Sequence, residues 1–466
     1  MQYSIIDFKS LNHNTRIDAE YFKPHFIRNE KLLQTKNSKK LKDYCVYIKK
    51  GIFDLSPENY ISNGIPFIRT SEIKNPLINF NTTVFLNQSV HQQNSKTELE
   101  AGDLVFTKIG TYIGDIAILP SIFGKYNFSQ NVTGAKLKNK DNSGYLLSYF
   151  LSKFGRQQII RSIMLSGQGK LELEDIRNYI VVEPSNRFKH IINSLISKTQ
   201  NLIGDANNIF KKAQALLLSE LGLENWKPKH KLSYVRKYSD VEEAGRFDAE
   251  YFQPKYDEIV EAIKSYKGGW DVLGNVFEQN KSKFNVNPDN IYEYIEIGSV
   301  NVSSGDYEPF ILKGSDLPTN AKIKLKKDNL VISKVRTYRG AVSIINSDKY
   351  VGSGAFTVLH AKGTFYIETL FTLLKSLPYL DFSLKFNTET SYPTLDEDIL
   401  NYPIPLFNDA IQNTIKEKIN ESTDLRIKSK ALLEIAKKGV EMAIEENEDK
   451  AEKWIKEEVE KLRVDI

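Results

Sequence analysis

Apolar residues between positions 188 and 222 recur at helical spacing. Leu195, Leu202, Ile209 and Leu216 fall on one line, and Ile196, Ile203, Phe210 and Leu217 lie one position over. Ile192, Ala206 and Ala213 flank them. So broad a stripe asks for a second helix against it. Residues 408–445 offer one, with Ile411, Ile415, Ile419, Leu425, Leu432, Ala436, Val440 and Ala443. The pattern predicts two long helices packed antiparallel, with Leu195, Leu202, Ile209, Leu216, Ile411, Ile415, Leu425 and Leu432 in the helix or subunit interface. A helix of about 35 residues is about 52 Å long. Two independent helices capping separate cores is the other arrangement this pattern allows.

A β-rich texture precedes each helix. DLVFTKIGTYIGDIAIL (103–119) and NLVISKVRTYRGAVSII (329–345) read as hairpins with glycine-bearing bends. Each is followed by a short helical stretch (144–160 and 366–377). EDIRNYI (174–180) or EDILNYP (397–403) then leads into a strand, and a long helix closes the series. The two series are one text written twice. RIDAEYFKP (16–24) returns as RFDAEYFQP (246–254), and FIRTSEI (67–73) faces YIEIGSV (294–300). Order is preserved while the offset shrinks from 230 to 223, the mark of a duplication with small loop deletions. Two copies are too few for a solenoid.

The expected fold is therefore α+β: two tandem homologous domains of mixed β-sheet and short helices, each followed by a long helix, in a pseudo-two-fold arrangement. The expected divisions are 1–186 for the first domain, 187–224 for the central helix and 225–405 for the linker and second domain. A C-terminal helix would take 406–446 and a charged tail 447–466. The twice-written RxDAEYF reads as a cap and ring anchor before helices that start near Pro24 and Pro254.

Charge sharpens the picture. The whole chain carries 64 Lys and Arg against 59 Asp and Glu, a net +5. Residues 1–230 hold 31 basic against 20 acidic residues, whereas 231–466 hold 33 against 39, with the acidic excess concentrated in the last segment. A basic body with an acidic tail suits a polyanionic ligand. No apolar run approaches the ~18 residues of a membrane span, so no membrane partner is expected. The N-terminus has no basic stretch followed by an apolar one, so a signal peptide is not expected. The single cysteine, Cys45, excludes an intrachain disulfide framework and fits a reducing cytoplasm, with the thiol as a small buried side chain.

The search for chemistry finds little. The six histidines never fall at metal-ligand spacing, and SGQGK (166–170) lacks the spacing of a phosphate loop. It reads as a flexible or DNA-facing loop. Asp54 followed by Glu72-Ile73-Lys74 fits the loose acid…E-x-K layout of metal-dependent nucleases. The second copy has Ser299 and Asn301 at the corresponding positions, so a Mg²⁺ pair would exist in one half only. No catalytic residue and no metal site are expected.

Polyanion-binding features are richer. Residues 31–50 hold seven lysines interleaved with Tyr44 and Tyr47, for which a solvated face is the plain alternative. In the first copy the candidate DNA contacts are Lys49, Lys50, Arg69, Thr70, Ser71, Lys108, Thr111, Tyr112, Gln130, Asn131, Gln168 and Lys170. In the second they are Lys281, Lys283, Lys334, Arg336, Thr337, Tyr338, Arg339 and Tyr392. Thr337 and Tyr338 match Thr111 and Tyr112, whereas Arg336 and Arg339 stand where the first copy offers Ile109-Gly110 and Ile113-Gly114. Arginine there could fork onto guanine O6 and N7, grip phosphate, or cap a surface strand.

The R[IF]DAEYF[KQ]P phrase, the duplicated hairpin, the EDIxNY segment and the two long helices together resemble specificity (S) subunits of Type I restriction–modification systems, across about residues 1–445. The resemblance implies two target recognition domains held apart by an antiparallel helical spacer, each reading half of a split site in double-stranded DNA. It implies a cytoplasmic subunit without catalysis or cofactor of its own. Two methyltransferase (M) subunits would bind S-adenosylmethionine and methylate adenine, and motor-nuclease (R) subunits would join through them. A Type IIB-like or other methylase-based defence system would share this fold. A coiled-coil adaptor would keep the helices without DNA affinity, and a nuclease in its own right would cut DNA with Mg²⁺ alone. The segment 445–462 extends past the family's helix and acquires no role from the resemblance.

Overall fold

The computed structural model describes residues 16, 18–74, 76–78, 80–164, 169–363, 365–387, 393–395 and 397–466. The chain divides into two compact units, the first comprising 1–204 with 425–466 and the second 205–424. Both long helices, Asn186–Glu220 and Asp409–Glu445, contribute a part to each unit.

In the first unit a four-stranded antiparallel sheet runs in the order 116–118, 104–107, 132–137, 45–50. Its strands are buried on both faces because it is a middle layer. Leu104, Phe106, Ile116 and Ile118 point into the core shared with the helices, and Val105 and Ala117 into a smaller core. That smaller core also takes Ile68, Leu99, Tyr126 and Phe128 from the second sheet. The second sheet has the order 60–61, 84–86, 65–68, 125–128, 99–100, with one parallel pair between 65–68 and 125–128. A third pairing joins 38–40 to 180–182.

The second unit repeats this plan. Its four-stranded sheet runs 342–344, 330–333, 356–361, 277–279, and its other sheet 310–313, 291–295, 350–353, 321–324. The single parallel pair recurs, between 291–295 and 350–353, as does the small third pairing, 270–272 with 403–405. Leu330 and Ile332 face the helices while Val331 faces the second sheet. The first unit adds the edge strand 60–61; otherwise the strand order is the same down to the one parallel pair, which is what a duplicated domain produces.

The repeated RxDAEYF phrase is a clasp. Arg16 pairs with Asp18 at 2.8 Å, Asp18 accepts the Tyr21 backbone N–H at 3.0 Å, and the guanidinium lies 4.7 Å from the Tyr21 ring centroid. Arg16 also donates to the carbonyls of Arg161 and Ser162, at 3.3 and 3.2 Å, where a short helix ends. Arg246, Asp248 and Tyr251 repeat every contact, with Phe386 and Asn387 supplying the carbonyls. The Arg16 hydrogen bond holds the Asp18 carboxyl below its usual range. Helices Pro24–Gln34 and Pro254–Lys264 follow, each with proline in its first turn, where a missing N–H costs nothing.

The two long helices pack antiparallel. In the first unit Ile192 approaches Gly439, and Ser429 Oγ donates to the Thr199 carbonyl at 3.1 Å. In the second unit Ser422 Oγ donates to the Ala206 carbonyl at 2.8 Å. The buried line is not the one seven residues apart. Leu195 and Leu202 are buried, but Ile209 and Leu216 are only half-buried, and Phe210, Ala213 and Leu217 replace them. A straight helix drifts by about 20° per heptad, so over the three heptads from Leu195 to Leu216 a seven-residue line turns about 60° away from the contact, and the residue one position on falls closer to it. Ile415 and Leu432 are buried, whereas Ile411 and Leu425 flank the contact.

The segment read as a charged tail is a helix, Glu448–Leu462, capped by Asn447. Ala451 and Ile455 enter the first unit's core, with Trp454, Val459 and Leu462 packed around them. Glu452 pairs with Arg187 at 2.5 Å, and Glu448 accepts from the Ser185 N–H at 2.8 Å. A Cβ at Gly439 would lie 2.6 Å from Ile455 Cδ1, so glycine is what lets this helix seat. Among the described residues, no helix is long and apolar enough to cross a membrane.

Candidate nucleic-acid interface

In an antiparallel sheet alternate strand ends share an edge, and this brings distant polar residues together. In the first unit the end of 45–50, the start of 132–137, the end of 104–107 and the start of 116–118 meet at one edge, as the registers Lys50↔Thr133, Val132↔Thr107 and Phe106↔Ile116 show. The loops there are tied by backbone bonds. Lys108 N donates to the Asn131 carbonyl at 2.9 Å, and Leu171 N to the Lys108 carbonyl at 3.0 Å. Ser129 N donates to the Ile68 carbonyl at 2.9 Å. A Cβ on Gly110 would lie 3.7 Å from Thr70 Oγ1. Lys50, Thr70, Lys108, Thr111, Tyr112, Gln130, Asn131 and Lys170 therefore gather at one edge, with Lys50, Thr111, Tyr112 and Asn131 exposed.

The second unit builds the same edge with the same ties. Lys334 N donates to the Ala355 carbonyl and Leu395 N to the Lys334 carbonyl, at 2.9 and 2.8 Å. Arg336, Tyr338 and Arg339 occupy the hairpin bend, Arg339 exposed. Arg336 sits in the left-handed region at φ 51°, where the first copy has Gly110 at φ 129°. A branchless glycine takes such angles freely, whereas an L-residue is strained by about 1–2 kcal/mol. Arg336 N donates to the Pro393 carbonyl at 2.9 Å, which helps hold it there. Lys281 and Lys283 are exposed just beyond the edge strand 277–279.

Several residues expected to contact DNA have internal duties instead. Glu72 is fully buried and accepts from Arg69 backbone N (2.7 Å), Arg69 Nε (3.2 Å) and Nη2 (2.8 Å). It also accepts from Ser71 Oγ (2.8 Å) and Thr82 Oγ1 (3.1 Å). Arg69 thus neutralises Glu72 and Ser71 hydrogen-bonds it, so both side chains have an internal partner. The same knot of contacts engages Glu72, the glutamate of the loose nuclease layout. Thr337 is buried, its hydroxyl donating to the Ser333 carbonyl at 2.7 Å, because the bend folds back on its own strand. Lys49 leans on the Tyr47 ring at 4.4 Å and donates to the Lys96 carbonyl at 3.2 Å. Lys170 pairs with Glu172 at 2.6 Å and holds that carboxyl below its usual range. Gln168 and Tyr392 lie outside the described residues. Burial pushes the Cys45 thiol up to about 12, as suits a core position.

A second surface went unread in the sequence. Between the units' globular parts in the chain, Leu232 and Val235 are 99% and 95% exposed, with Tyr238 and Phe247 also largely bare. Leu232 and Val235 stand in a basic segment, WKPKHKLSYVRK (226–237). The signal was an apolar–basic mixture without periodicity, which a sequence reader passes over as linker.

Residues 34–209 match the family model of the Type I restriction modification DNA specificity domain. Among solved structures, the chain is similar to the S subunit of a Type I restriction-modification system from M. genitalium, at 12% identity and TM-score 0.38, covering 92% of this chain and 96% of that one. It is also similar to the HsdS subunit from Thermoanaerobacter tengcongensis, at 14% identity and TM-score 0.28, covering 88% of this chain and 96% of that one. No curated protein sequence matches it.

Proposed function

We infer that this chain, a specificity subunit of the Type I restriction–modification family by its domain at residues 34–209, reads a split DNA target with its two repeated units. Each unit offers one reading edge built on the same sheet and the same backbone ties, with different side chains. The first presents Lys50, Thr70, Lys108, Thr111, Tyr112, Gln130 and Asn131, and the second Lys281, Lys334, Arg336, Tyr338 and Arg339. Lysines on exposed strand ends neutralise phosphate, and hydroxyl, amide and guanidinium groups read base edges. The chain contributes recognition and no chemistry. Methyltransferase subunits, carrying S-adenosylmethionine, methylate adenine at the site it selects, and motor-nuclease subunits join through them in the cytoplasm. The exposed apolar residues Leu232, Val235, Tyr238 and Phe247 are the surface we assign to a methyltransferase subunit.

The observation that carries this reading is Arg336. An arginine held at positive φ, where its sister copy uses glycine, keeps a strained backbone that its side chain must justify. Methylome sequencing of cells expressing the chain with its methyltransferase tests the proposal. A bipartite motif is expected, and Arg336→Ala should relax one position of one half, worth roughly 1–3 kcal/mol of discrimination, and leave the other half intact. A contiguous motif, or one unchanged by the substitution apart from lower occupancy, would overturn it.

A further inference from the structure

Where the strand Cys45–Lys50 reaches the first unit's reading edge, the chain beyond it leaves one benzyl ring outside the core. Phe53 is 72% exposed. Its neighbours are not: Ile52 is buried and Leu55 half-buried, both packed with Phe67, Leu86 and Val90. The second copy keeps the lysine and the phenylalanine, with Lys281-Ser282-Lys283-Phe284 against Lys50-Gly51-Ile52-Phe53. There the ring is tucked away, edge-on to Tyr292 at 5.0 Å and against Tyr294, Ala321 and Val351. One copy therefore gives up a burial that the other shows to be available.

The ring's surroundings are those of the reading edge. Ile52 N donates to the Phe128 carbonyl at 2.8 Å, and Ile52 bridges Ser129. A Cβ on Gly51 would stand 2.0 Å from the Phe128 carbonyl oxygen, so the backbone runs tight against the loop that carries Gln130 and Asn131. Lys50 Nζ lies 5.9 Å from the ring centroid. Asp54 turns the chain at φ 49° directly after the ring, a strained angle that fixes where the ring is presented.

We propose that Phe53 is an apolar wedge that enters between two stacked base pairs of the DNA held by the first unit, with Lys50 on a flanking phosphate. The proposal rests on the DNA-reading function above. Proteins that deform duplexes use such rings to unstack a step, and recover the cost through the contacts the bend permits. An aromatic ring beside a cation, continuous with a polar reading edge, has the chemistry for that occupant.

The test uses the full chain with its methyltransferase partner and duplexes of the cognate site. A fluorescent adenine analogue that brightens on unstacking is placed at successive positions of each half-site. One position of the half read by the first unit should brighten on binding. Phe53→Ala should abolish that signal and weaken binding about tenfold, and Phe53→Leu should retain part of both. Unchanged thermal melting will show that the variants fold. If the wild-type complex prefers cognate over scrambled DNA but no position brightens, or Phe53→Ala leaves the signal intact, the wedge is wrong and the reading function stands. If replacing a thymine by uracil reproduces the loss without brightening, the ring is a methyl contact and the wedge is again overturned. Without any preference for cognate DNA, it is the reading function that fails.

Discussion

Replacing Glu72 by alanine separates a structural carboxylate from a metal ligand. Glu72 is 0% exposed and accepts five hydrogen bonds, three of them from Arg69. Removing it leaves the Arg69 guanidinium, among the described residues, with the Thr82 carbonyl at 2.6 Å. Breaking a buried charge pair from one side costs about 3–5 kcal/mol. The Arg69 side chain is 30% exposed and can recruit water, so the low end, about 3 kcal/mol, is expected. Glu72→Gln keeps an acceptor but loses the charge, and should cost about 1–2 kcal/mol. Urea denaturation of the full chain, with hydrogen exchange following the peptides of residues 65–86, reads both values. The alanine variant should lower the midpoint of the first unit's transition by about 1 M. A variant within about 0.5 kcal/mol of wild type would refute the knot. Stabilisation of wild type by Mg²⁺ that Glu72→Ala abolishes would restore the metal reading.

Other perturbations follow from the same contacts. Asp18, held below its ordinary value of about 4 by Arg16, contributes stability above that pH and loses it as pH falls through its depressed value. Asp18→Asn should flatten that acid limb in thermal melts, by under about 1 kcal/mol because the side chain is nearly half exposed; an unchanged limb would deny the clasp its role. Leu202→Asp should destabilise the chain by about 3 kcal/mol or more and Ile209→Asp by much less, as judged by thermal melting. Equal losses would mean a strict heptad seam after all. Lys50→Ala and Lys281→Ala should weaken binding to all DNA sequences alike and each flatten the log K against log salt slope by about 1; anisotropy titrations that show loss on one sequence only would contradict a phosphate role. Leu232→Ser with Val235→Ser should leave melting unchanged and reduce assembly with the methyltransferase subunit in size-exclusion chromatography with light scattering. Normal assembly would remove that surface from the interface.

What the sequence by itself determined is whatever is bonded locally. Arg16, Asp18 and Tyr21 satisfy one another within six residues, so the phrase survives duplication as words and could be read as a cap and ring anchor without its partners. The hairpins 104–118 and 330–344 were legible because both strands and the bend are contiguous, and the long helices because their apolar period is internal to one segment. The tertiary structure decided which side of each element is inside. A seven-residue line and the true 3.6-residue stripe diverge by about 60° over three heptads, and only the facing helix selected Phe210 and Leu217 over Ile209 and Leu216. Arg69 reads in sequence as a DNA contact, and only the fold shows that it pairs with buried Glu72. Thr337, which with Tyr338 repeats the Thr111-Tyr112 of the first copy, is folded under its own bend while Thr111 is exposed. The acidic tail gained a place when Gly439 let Ile455 approach, although its spacing of Ala451, Ile455, Val459 and Leu462 was present all along. Phe53 and Phe284 each follow a lysine by three residues, yet one ring is bare and the other packed. Burial and hydrogen-bond choice are sums over neighbours distant in sequence, so similar local text takes opposite roles wherever those neighbours differ.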